Sequence, residues 1–365
     1  MSGIMPSGLR PLTLEPGVSM RIEFHFDRGG FAALKPEWND LLHRSCCNTV
    51  FLTWQWQNAW WKHLGDGDLL LLAFRSDEDG RLVGLAPIFH CADQDGRAVF
   101  ALVGCRDVSD YLDLIVEVGQ EEAVYTAFLD YLEGDSAPAW DAIDLCNIPQ
   151  DSVTYELLRH MADQRGYATV VEVEDVAPVI SLPDSWDEYL MSLDKKQRHE
   201  IRRKLRKAGA AGEAEFYIVG PEHDLRAEMT AFIDLHQKST PEKDKFMDPQ
   251  MQAFFFDVAQ VLQAEGWLQL AFVQVLGEKA ASLLNFDYGG SILVYNSGYD
   301  PVSYRSLSPG IVVTARCIET AIELGRETFD FLRGDEEYKY RFGAHDTTVR
   351  RLVIARPGVS LDVVC

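Results

Sequence analysis

The most informative segment of the chain begins as Tyr304-Arg305-Ser306-Leu307-Ser308-Pro309-Gly310. A helical run follows, then Phe329-Asp330-Phe331-Leu332-Arg333-Gly334-Asp335, and then Tyr338-Lys339-Tyr340-Arg341-Phe342-Gly343. Serine is a good helix cap, proline suits the first helical position, and glycine lets a ligand approach the backbone. Because the first turn of a helix has unpaired N–H groups and a partial positive charge, it attracts phosphate. The stretch therefore predicts a phosphate-binding helix start beside a short strand that ends in charged residues.

The same residues allow an interpretation without any ligand. Ser308, Pro309 and Gly310 also form an ordinary capped helix start, and Asp335 can join an ion-pair network with Arg333 or Lys339. The chain has no Walker lysine motif and no GxGxxG, so nucleoside triphosphates and dinucleotides are not indicated. From the residues alone, both interpretations remain open.

Length, composition and charge bound the possibilities. The chain has 365 residues, 47% of them hydrophobic and 11% aromatic, which describes a folded protein with room for two domains. A formal net charge of −23 disfavours non-specific contact with nucleic acid, and we expect no DNA partner. An anionic partner must therefore be met by a local basic patch.

The cysteines and the apolar runs indicate the compartment. The seven cysteines include the adjacent Cys46 and Cys47 and form no CxxC pair. Such a pattern predicts buried reduced thiols in a cytoplasmic protein, not a disulfide framework or a zinc site, and we expect no metal. Residues 1–20 contain no continuous apolar run, and apolar runs such as residues 69–74 are only of strand length. We therefore expect neither a signal peptide nor a membrane span.

Strand and helix patterns alternate along the chain, which predicts an α/β class with mixed α+β sheets. We expect a loose lead-in over residues 1–20, a first domain over 21–175 and a second over 176–365, with the boundary itself near 165–185. Three strands of the second half form a meander with turns at Gly277 and at Gly289-Gly290. The order of elements is similar in the two halves, although no residue-level repeat is visible.

The order and spacing of these motifs resemble a known family. The meander, the Ser-Pro-Gly loop, the helix and the charged strand end together resemble the C-terminal acyltransferase domain of the GNAT superfamily, in its FemAB-like and CelD-like branch. The first half resembles that branch in three further segments, namely Val50-Phe51-Leu52-Thr53-Trp54-Gln55-Trp56 with Trp60-Trp61, Gly84-Leu85-Ala86-Pro87, and Asp110-Tyr111-Leu112-Asp113. The resemblance implies two tandem GNAT-like domains, of which the second holds the acyl donor.

The resemblance also implies a donor loop. GNAT enzymes hold the donor pyrophosphate on an Arg/Gln-x-x-Gly-x-Gly/Ala loop, and here Arg305 and Gly310 match while Ser308 replaces the middle glycine. Ser308 itself, Asn296 and Arg333 complete the predicted donor-binding set. The departure leaves two donors open, acetyl-CoA or another acyl-CoA on one side and the aminoacyl-tRNA of FemAB-like relatives on the other.

The charged cluster that follows the last of these strands supplies the candidate catalytic residues. An acceptor amine or hydroxyl needs a base, and the tetrahedral oxyanion needs a hydrogen-bond donor. Asp335 or Asp330 is predicted as the base, and Lys339 or Tyr338 as the group that stabilises the oxyanion or a phosphate.

A basic helix opens the second domain. Eight of the residues 195–207 are Lys or Arg, and Arg198, Arg202, Arg203 and Arg206 are predicted to bind a polyanion. The polyanion can be a tRNA, the phosphates of CoA, an acidic glycan or an anionic membrane surface. A solvated helix face that pairs with the acidic body of the protein explains the same pattern.

The predicted function is transfer of an acyl group, foremost acetyl from acetyl-CoA, to an amine or hydroxyl of a sugar nucleotide or cell-surface polysaccharide precursor. The first alternative is a FemAB-type aminoacyl-tRNA-dependent peptidyltransferase that acts on a peptidoglycan precursor. The second is a non-catalytic module of a polysaccharide biosynthesis complex. Residues 238–246 are predicted as a polar loop, a lid over the acceptor, and His236 as a structural residue.

Overall fold

The computed structural model describes residues 20–105, 108–210 and 214–361. The predicted lead-in lies outside the described residues except for Met20, which begins the first strand. Contacts within the chain define two compact units, which among the described residues comprise 20–175 with 348–361, and 176–347.

The elements follow one another in an order that alternates strands and helices. In chain order they are β1 (Met20–His25), α1 (Gly29–Arg44), α2 (Trp54–Leu64), β2 (Asp68–Ser76), β3 (Leu82–Ala92), β4 (Ala98–Leu102), β5 (Ile115–Val116), α3 (Glu121–Glu133), β6 (Ala142–Pro149), α4 (Thr154–Gln164), β7 (Ala168–Ser181), α5 (Trp186–Ser192), α6 (Lys195–Ala210), β8 (Ala214–Ile218), α7 (Leu225–Ser239), α8 (Pro241–Phe246), α9 (Pro249–Ala264), β9 (Leu268–Val275), β10 (Glu278–Tyr288), β11 (Ser291–Tyr299), α10 (Pro309–Glu323), β12 (Thr328–Asp330), α11 (Glu337–Tyr340) and β13 (His345–Ala355). Two 3-10 turns, Val50–Leu52 and Arg305–Leu307, precede α2 and α10.

Each unit contains strands of a mixed sheet, and the strands of the two units pair in the same order. In the first, β1, β2, β3 and β4 are antiparallel neighbours, β4 pairs parallel with β6, and β6 pairs antiparallel with β13. In the second, β8, β9, β10 and β11 are antiparallel neighbours, β11 pairs parallel with β12, and β12 pairs antiparallel with β7. A helix, α3 or α10, connects each parallel pair. The predicted mixed α/β class with two tandem domains is confirmed.

Two parts of the chain depart from the predicted organisation. The predicted boundary near residues 165–185 contains the strand β7, whose alternating valines and acidic residues between 170 and 175 are typical of a strand. Residues 348–361, which the sequence assigned to the second domain, lie in the first unit, because β13 pairs with β6 from Val349 to Ala355. The placement of this last segment in the first unit depends on strand pairing between residues far apart in the chain, so no local sequence pattern indicates it.

The first unit also corrects the expectation of reduced thiols. Cys105 and Cys146 form a disulfide across 41 residues, because Cys105 follows β4 and Cys146 lies on its parallel neighbour β6. Cys47 remains a thiol and donates a hydrogen bond to the fully buried carboxylate of Asp113 at 2.8 Å. Burial raises the pKa of Asp113.

The second unit packs its apolar side chains between the sheet and the helices α5, α6 and α10. Its core includes Ile201 of α6, Leu283 of β10, Ile318 of α10 and Phe329 of β12, each less than a tenth exposed. This core fixes the start of α10 over the sheet. None of the helices in the described ranges combines the length and apolar character needed to cross a bilayer.

Candidate acyl-donor site

A cavity of about 360 Å³ opens beside the first turn of α10. Its walls come from β10, β11, the connection to α10 and one residue of α11. Four of the residues singled out in the sequence line it together, namely Arg305, Ser308, Gly310 and Tyr338. The others do not line this cavity.

The cavity lies where two parallel strands separate. β12 pairs with β11 only through Ser291, Ile292 and Leu293, and then ends at Asp330 while β11 continues to Tyr299. The ladder between β10 and β11 also shifts register there, which places Tyr295 as an extra residue on β11. The later half of β11 therefore offers backbone groups that β12 does not pair.

The start of α10 differs from the expected cap. Ser308 is the N-cap, but its backbone is left-handed (φ 51°, ψ 55°) and its hydroxyl makes no capping hydrogen bond. Side-chain capping uses an extended backbone, which this residue does not have. Its carbonyl oxygen instead accepts the N–H groups of Ile311 at 3.0 Å and Val312 at 3.2 Å. Ser308 lines the cavity with a hydroxyl that the helix start does not use.

Gly310 leaves open space at the first turn of the helix. A Cβ atom added at this position would meet no heavy atom within 4 Å outside its own helix and neighbours. The space therefore belongs to the cavity and not to packed protein. A phosphate can approach the helix start there without steric obstruction.

Lys339 is occupied by its own loop. Its side chain is 2% exposed, and Nζ donates to the carbonyl oxygens of Leu332 at 3.2 Å, Arg333 at 2.8 Å and Gly334 at 2.9 Å, with Glu336 as an ion-pair partner at 2.8 Å. An ammonium group has three N–H donors, and this loop takes all of them. The geometry describes a group that holds the segment after β12.

The two candidate aspartates occupy different surroundings. Asp330 is 7% exposed, and its Oδ1 accepts the backbone N–H of Leu332 at 2.7 Å. Asp335 is exposed and does not line the cavity. Neither carboxylate is placed against the cavity wall, so the structure gives no geometric support to the predicted base.

Tyr338 is the member of the charged cluster that reaches the cavity. Its ring meets Phe331 edge to face at 5.9 Å between centroids. Burial, with a smaller contribution from Glu336, raises the pKa of Tyr338 well above its ordinary value. The phenol therefore keeps its proton and remains a hydrogen-bond donor.

Asn296 lies on the other face of β11. Its Oδ1 is 3.0 Å from Nε2 of His236, a residue of α7 that is 1% exposed. Burial and the charge of Lys243 lower the pKa of His236 to about 4, so this ring is neutral and structural, as the sequence suggested. Asn296 does not line the cavity, so no contact supports its predicted role in donor binding.

Lys243 is a residue of this region that the sequence did not single out. The prediction of a loop over residues 238–246 is wrong, because this segment comprises the end of α7 and the helix α8, whose cap Thr240 accepts the N–H of Lys243. Nζ of Lys243 donates to the carbonyl oxygen of Ser297 at 2.6 Å and to its Oγ at 3.0 Å. Ser297 in turn lines the cavity.

The basic helix α6 lies beside the donor loop. Ile201 and Ala208 anchor it in the core of the second unit. Nζ of Lys207 donates to the carbonyl oxygen of Ser306 at 2.8 Å. The helix is therefore attached to the loop that opens α10.

The four predicted polyanion-binding arginines have protein partners of their own. Arg198 reaches the carbonyl oxygen of Met191 at 3.4 Å, and Arg202 lies 3.8 Å from Asp187. Arg203 pairs with Glu200 at 2.8 Å, and Arg206 bonds the carbonyl of Arg202 at 3.3 Å. Arg202, Arg203 and Arg206 are exposed, so these contacts contribute little and a ligand can replace them.

Comparison with known proteins agrees with this geometry. No curated protein matches the sequence. The crystal structure of FemX is similar over 87% of this chain and 95% of that chain, with 12% identity and a TM-score of 0.64. L-PGS from Bacillus licheniformis is similar over 89% of this chain and 93% of that chain, with 12% identity and a TM-score of 0.55. The C-terminal domain of a putative lysylphosphatidylglycerol synthetase from Agrobacterium fabrum covers 88% and 92%, with 11% identity and a TM-score of 0.53.

At these identities the likeness concerns the fold. The family model described as an acetyltransferase (GNAT) domain matches residues 195–340, which include α6, the cavity and α11. Among the described residues, no group of three or more His, Cys, Asp or Glu is placed to hold a metal ion. The second unit of this chain carries a GNAT acetyltransferase-like domain.

Proposed function

We propose that this protein is an acyltransferase that moves an acetyl group from acetyl-CoA to an amine or hydroxyl of a sugar nucleotide or a cell-surface polysaccharide precursor. One observation carries the proposal: a cavity between the separated strands and the first turn of α10, inside a GNAT-like domain. Because acetyl-CoA and sugar nucleotides are made in the cytoplasm, the proposal also places the protein there.

The donor phosphates would meet the helix start. The open space at Gly310, the hydroxyl of Ser308 and the guanidinium of Arg305 offer a backbone approach, a hydrogen-bond donor and a positive charge. The part of β11 beyond Leu293, with which β12 does not pair, suits the extended, amide-containing arm of the donor. The acyl carbonyl would then lie toward Tyr338.

The chemistry needs no covalent enzyme intermediate. The acceptor's lone pair attacks the thioester carbonyl while its proton passes to a base or to water, the carbon–sulfur bond breaks, and CoA leaves as a thiolate. The protonated phenol of Tyr338 can donate a hydrogen bond to the oxyanion and a proton to the thiolate, and it then regains a proton from solvent.

A second donor has specific support. The likeness to FemX and the basic helix tied to the donor loop favour an aminoacyl-tRNA, the donor that the sequence resemblance left open. Ser308, which replaces the middle glycine of the GNAT loop, also favours an aminoacyl-tRNA donor. The acidic net charge of −23 favours the smaller CoA donor.

The test is a thermal-shift and calorimetric comparison of CoA, acetyl-CoA and longer acyl-CoAs with charged tRNA, followed by an assay of CoA thiol release. A donor at a hundred times its Kd stabilises the folded state by about 2.7 kcal/mol. Stabilisation by acyl-CoA with release of thiol supports the proposal. Binding and turnover of charged tRNA alone would support the aminoacyl-tRNA donor in place of acetyl-CoA. No binding of either donor would overturn both hypotheses.

A further inference from the structure

Lys243 reaches the edge of β11 that β12 leaves open. Two hydrogen bonds join its Nζ to Ser297, one to the backbone carbonyl at 2.6 Å and one to Oγ at 3.0 Å. Ser297 belongs to the cavity wall, and its strand partner on β10 is Leu283, which also lines the cavity. Lys243 does not itself line the cavity, but its amine is hydrogen-bonded to Ser297, a residue that does.

The geometry of Nζ leaves one direction open. A neutral lysine amine has two N–H groups and one lone pair, and an ammonium has three N–H groups. Ser297 accepts two hydrogen bonds, so the third tetrahedral direction carries either the lone pair or the remaining proton. Among the described residues, no carboxylate forms an ion pair with Nζ. This arrangement suits a group that exchanges a proton.

The surroundings make Lys243 easier to deprotonate than an ordinary lysine. Burial lowers the pKa of Lys243 to about 8, against a small opposing effect of Glu336, whose carboxylate pairs with Lys339. His236, the titratable group on the neighbouring helix α7, is neutral near pH 7 and adds no charge. At pH 7 about a tenth of Lys243 is then unprotonated, far more than for an ordinary lysine.

We propose that Lys243 is the base that removes the proton from the acceptor, and that the acceptor therefore binds on the α8 side of the open edge of β11. This inference rests on the proposed acyltransferase function. The acceptor's N–H or O–H proton passes to the lone pair of Nζ while the acceptor attacks the thioester carbonyl. The carbon–sulfur bond breaks, and the departing thiolate takes its proton from water or from Tyr338, which then regains a proton from solvent. The proton on Nζ then returns to solvent.

The experiment follows CoA thiol release from acetyl-CoA across the pH range around 8, with hydroxylamine or water as the probe acceptor. Hydroxylamine is already unprotonated at neutral pH, so the profile reports the enzyme's own group. The variants are Lys243→Met, which keeps the length without the amine, and Lys243→Arg, which keeps the charge but does not deprotonate. The matched control is Lys279→Met on β10, where the lysine pairs with Glu228.

The wild-type rate is expected to rise with pH about a midpoint near 8. The Lys243→Met variant should be about a hundredfold slower, because general-base catalysis contributes on this order. Its rate should also no longer rise with pH around 8. Lys243→Arg should not restore it, and Lys279→Met should match the wild type. CoA affinity should be unchanged in all three variants.

Three outcomes would overturn the inference while the wild type is active. These are an unchanged rate and profile in Lys243→Met, recovery of the rate in Lys243→Arg, or an ordinary lysine pKa for Nζ in a carbon-13 dimethyl-lysine titration of the wild-type protein. The titration keeps the test valid even if a variant fails to fold. A wild type that neither binds CoA nor releases thiol would instead overturn the proposed function, and this inference with it.

Discussion

Lys207 and Ser306 join the basic helix to the donor loop through one hydrogen bond, from Nζ to the backbone carbonyl oxygen at 2.8 Å. The contact attaches the basic helix to the loop that opens α10, although none of its arginines lines the cavity. In the proposed function, the exposed arginines of α6 would attract the phosphates of the donor from outside the cavity.

Charge reversal on α6 should weaken donor binding in a salt-dependent way. The triple variant of Arg202, Arg203 and Arg206 to Glu is expected to raise the Kd for CoA about tenfold at low salt, and to flatten its dependence on salt. Titration calorimetry at several salt concentrations measures both effects. The matched control reverses Arg21, Arg81 and Arg159 of the first unit, which are 46%, 44% and 48% exposed. Equal weakening in the control would show that only net charge matters.

The Gly310→Ala substitution should stabilise the fold but weaken CoA binding. The added methyl group meets no packed atom, and alanine is the better helix former, so the free energy of unfolding should rise by about 0.5–1 kcal/mol. The methyl group occupies the approach to the helix start, so the Kd for CoA should rise about tenfold or more. Gly209→Ala on α6, which also has open space, should give a similar stability gain with unchanged binding. Undiminished CoA binding in Gly310→Ala would remove the helix start from the donor site.

The Tyr338→Phe substitution should slow acyl transfer without weakening donor binding. The variant keeps the edge-to-face contact with Phe331 and removes only the hydroxyl, the proposed proton donor. We expect kcat to fall about a hundredfold while the Kd for CoA stays within about twofold. Tyr340→Phe, which removes an exposed hydroxyl bonded to Asp346, is the control and should keep full activity. A Tyr338→Phe enzyme with wild-type kcat would exclude the phenol from the chemistry.

Lys339→Met should destabilise the fold. It leaves three carbonyl oxygens without their donor, that of Leu332 buried and those of Arg333 and Gly334 partly buried. We expect a loss of about 2–4 kcal/mol in the free energy of unfolding, measured by urea titration. A variant that keeps wild-type stability and loses transfer would instead restore the sequence hypothesis that Lys339 stabilises the oxyanion.

His236 should make stability fall in acid. Its folded pKa is about 4, below the ordinary value of 6.5, so the unfolded chain binds more protons between these values. The contribution is complete above about pH 6.5 and is lost as the pH falls toward 4. Between pH 7 and pH 5 the wild type should lose about 2 kcal/mol more than His236→Gln in urea unfolding. The exposed His345→Gln is the control and should follow the wild type. Parallel curves for wild type and His236→Gln would contradict the assignment.

Local chemistry made much of the fold predictable. The alternating strands, the glycine turns of the meander and the Ser308-Pro309-Gly310 start of α10 all carry short-range patterns, and each element forms close to its predicted place. The family resemblance then supplied the domain type, and the match over residues 195–340 confirms its GNAT-like part, while the CelD-like branch stays a prediction.

Capping chemistry, charge and periodicity act over a few residues, so the start of α10 and the basic helix were predictable from the sequence, while the family resemblance indicated the type of domain. Which side chains meet the cavity depends on the tertiary structure. In the folded chain Lys339 is hydrogen-bonded to the carbonyl groups of residues 332–334, and Asn296 contacts His236. Lys243 is hydrogen-bonded to the edge of β11. Those outcomes follow from where β12 stops and from how α8 packs, and both depend on contacts between residues far apart in the chain.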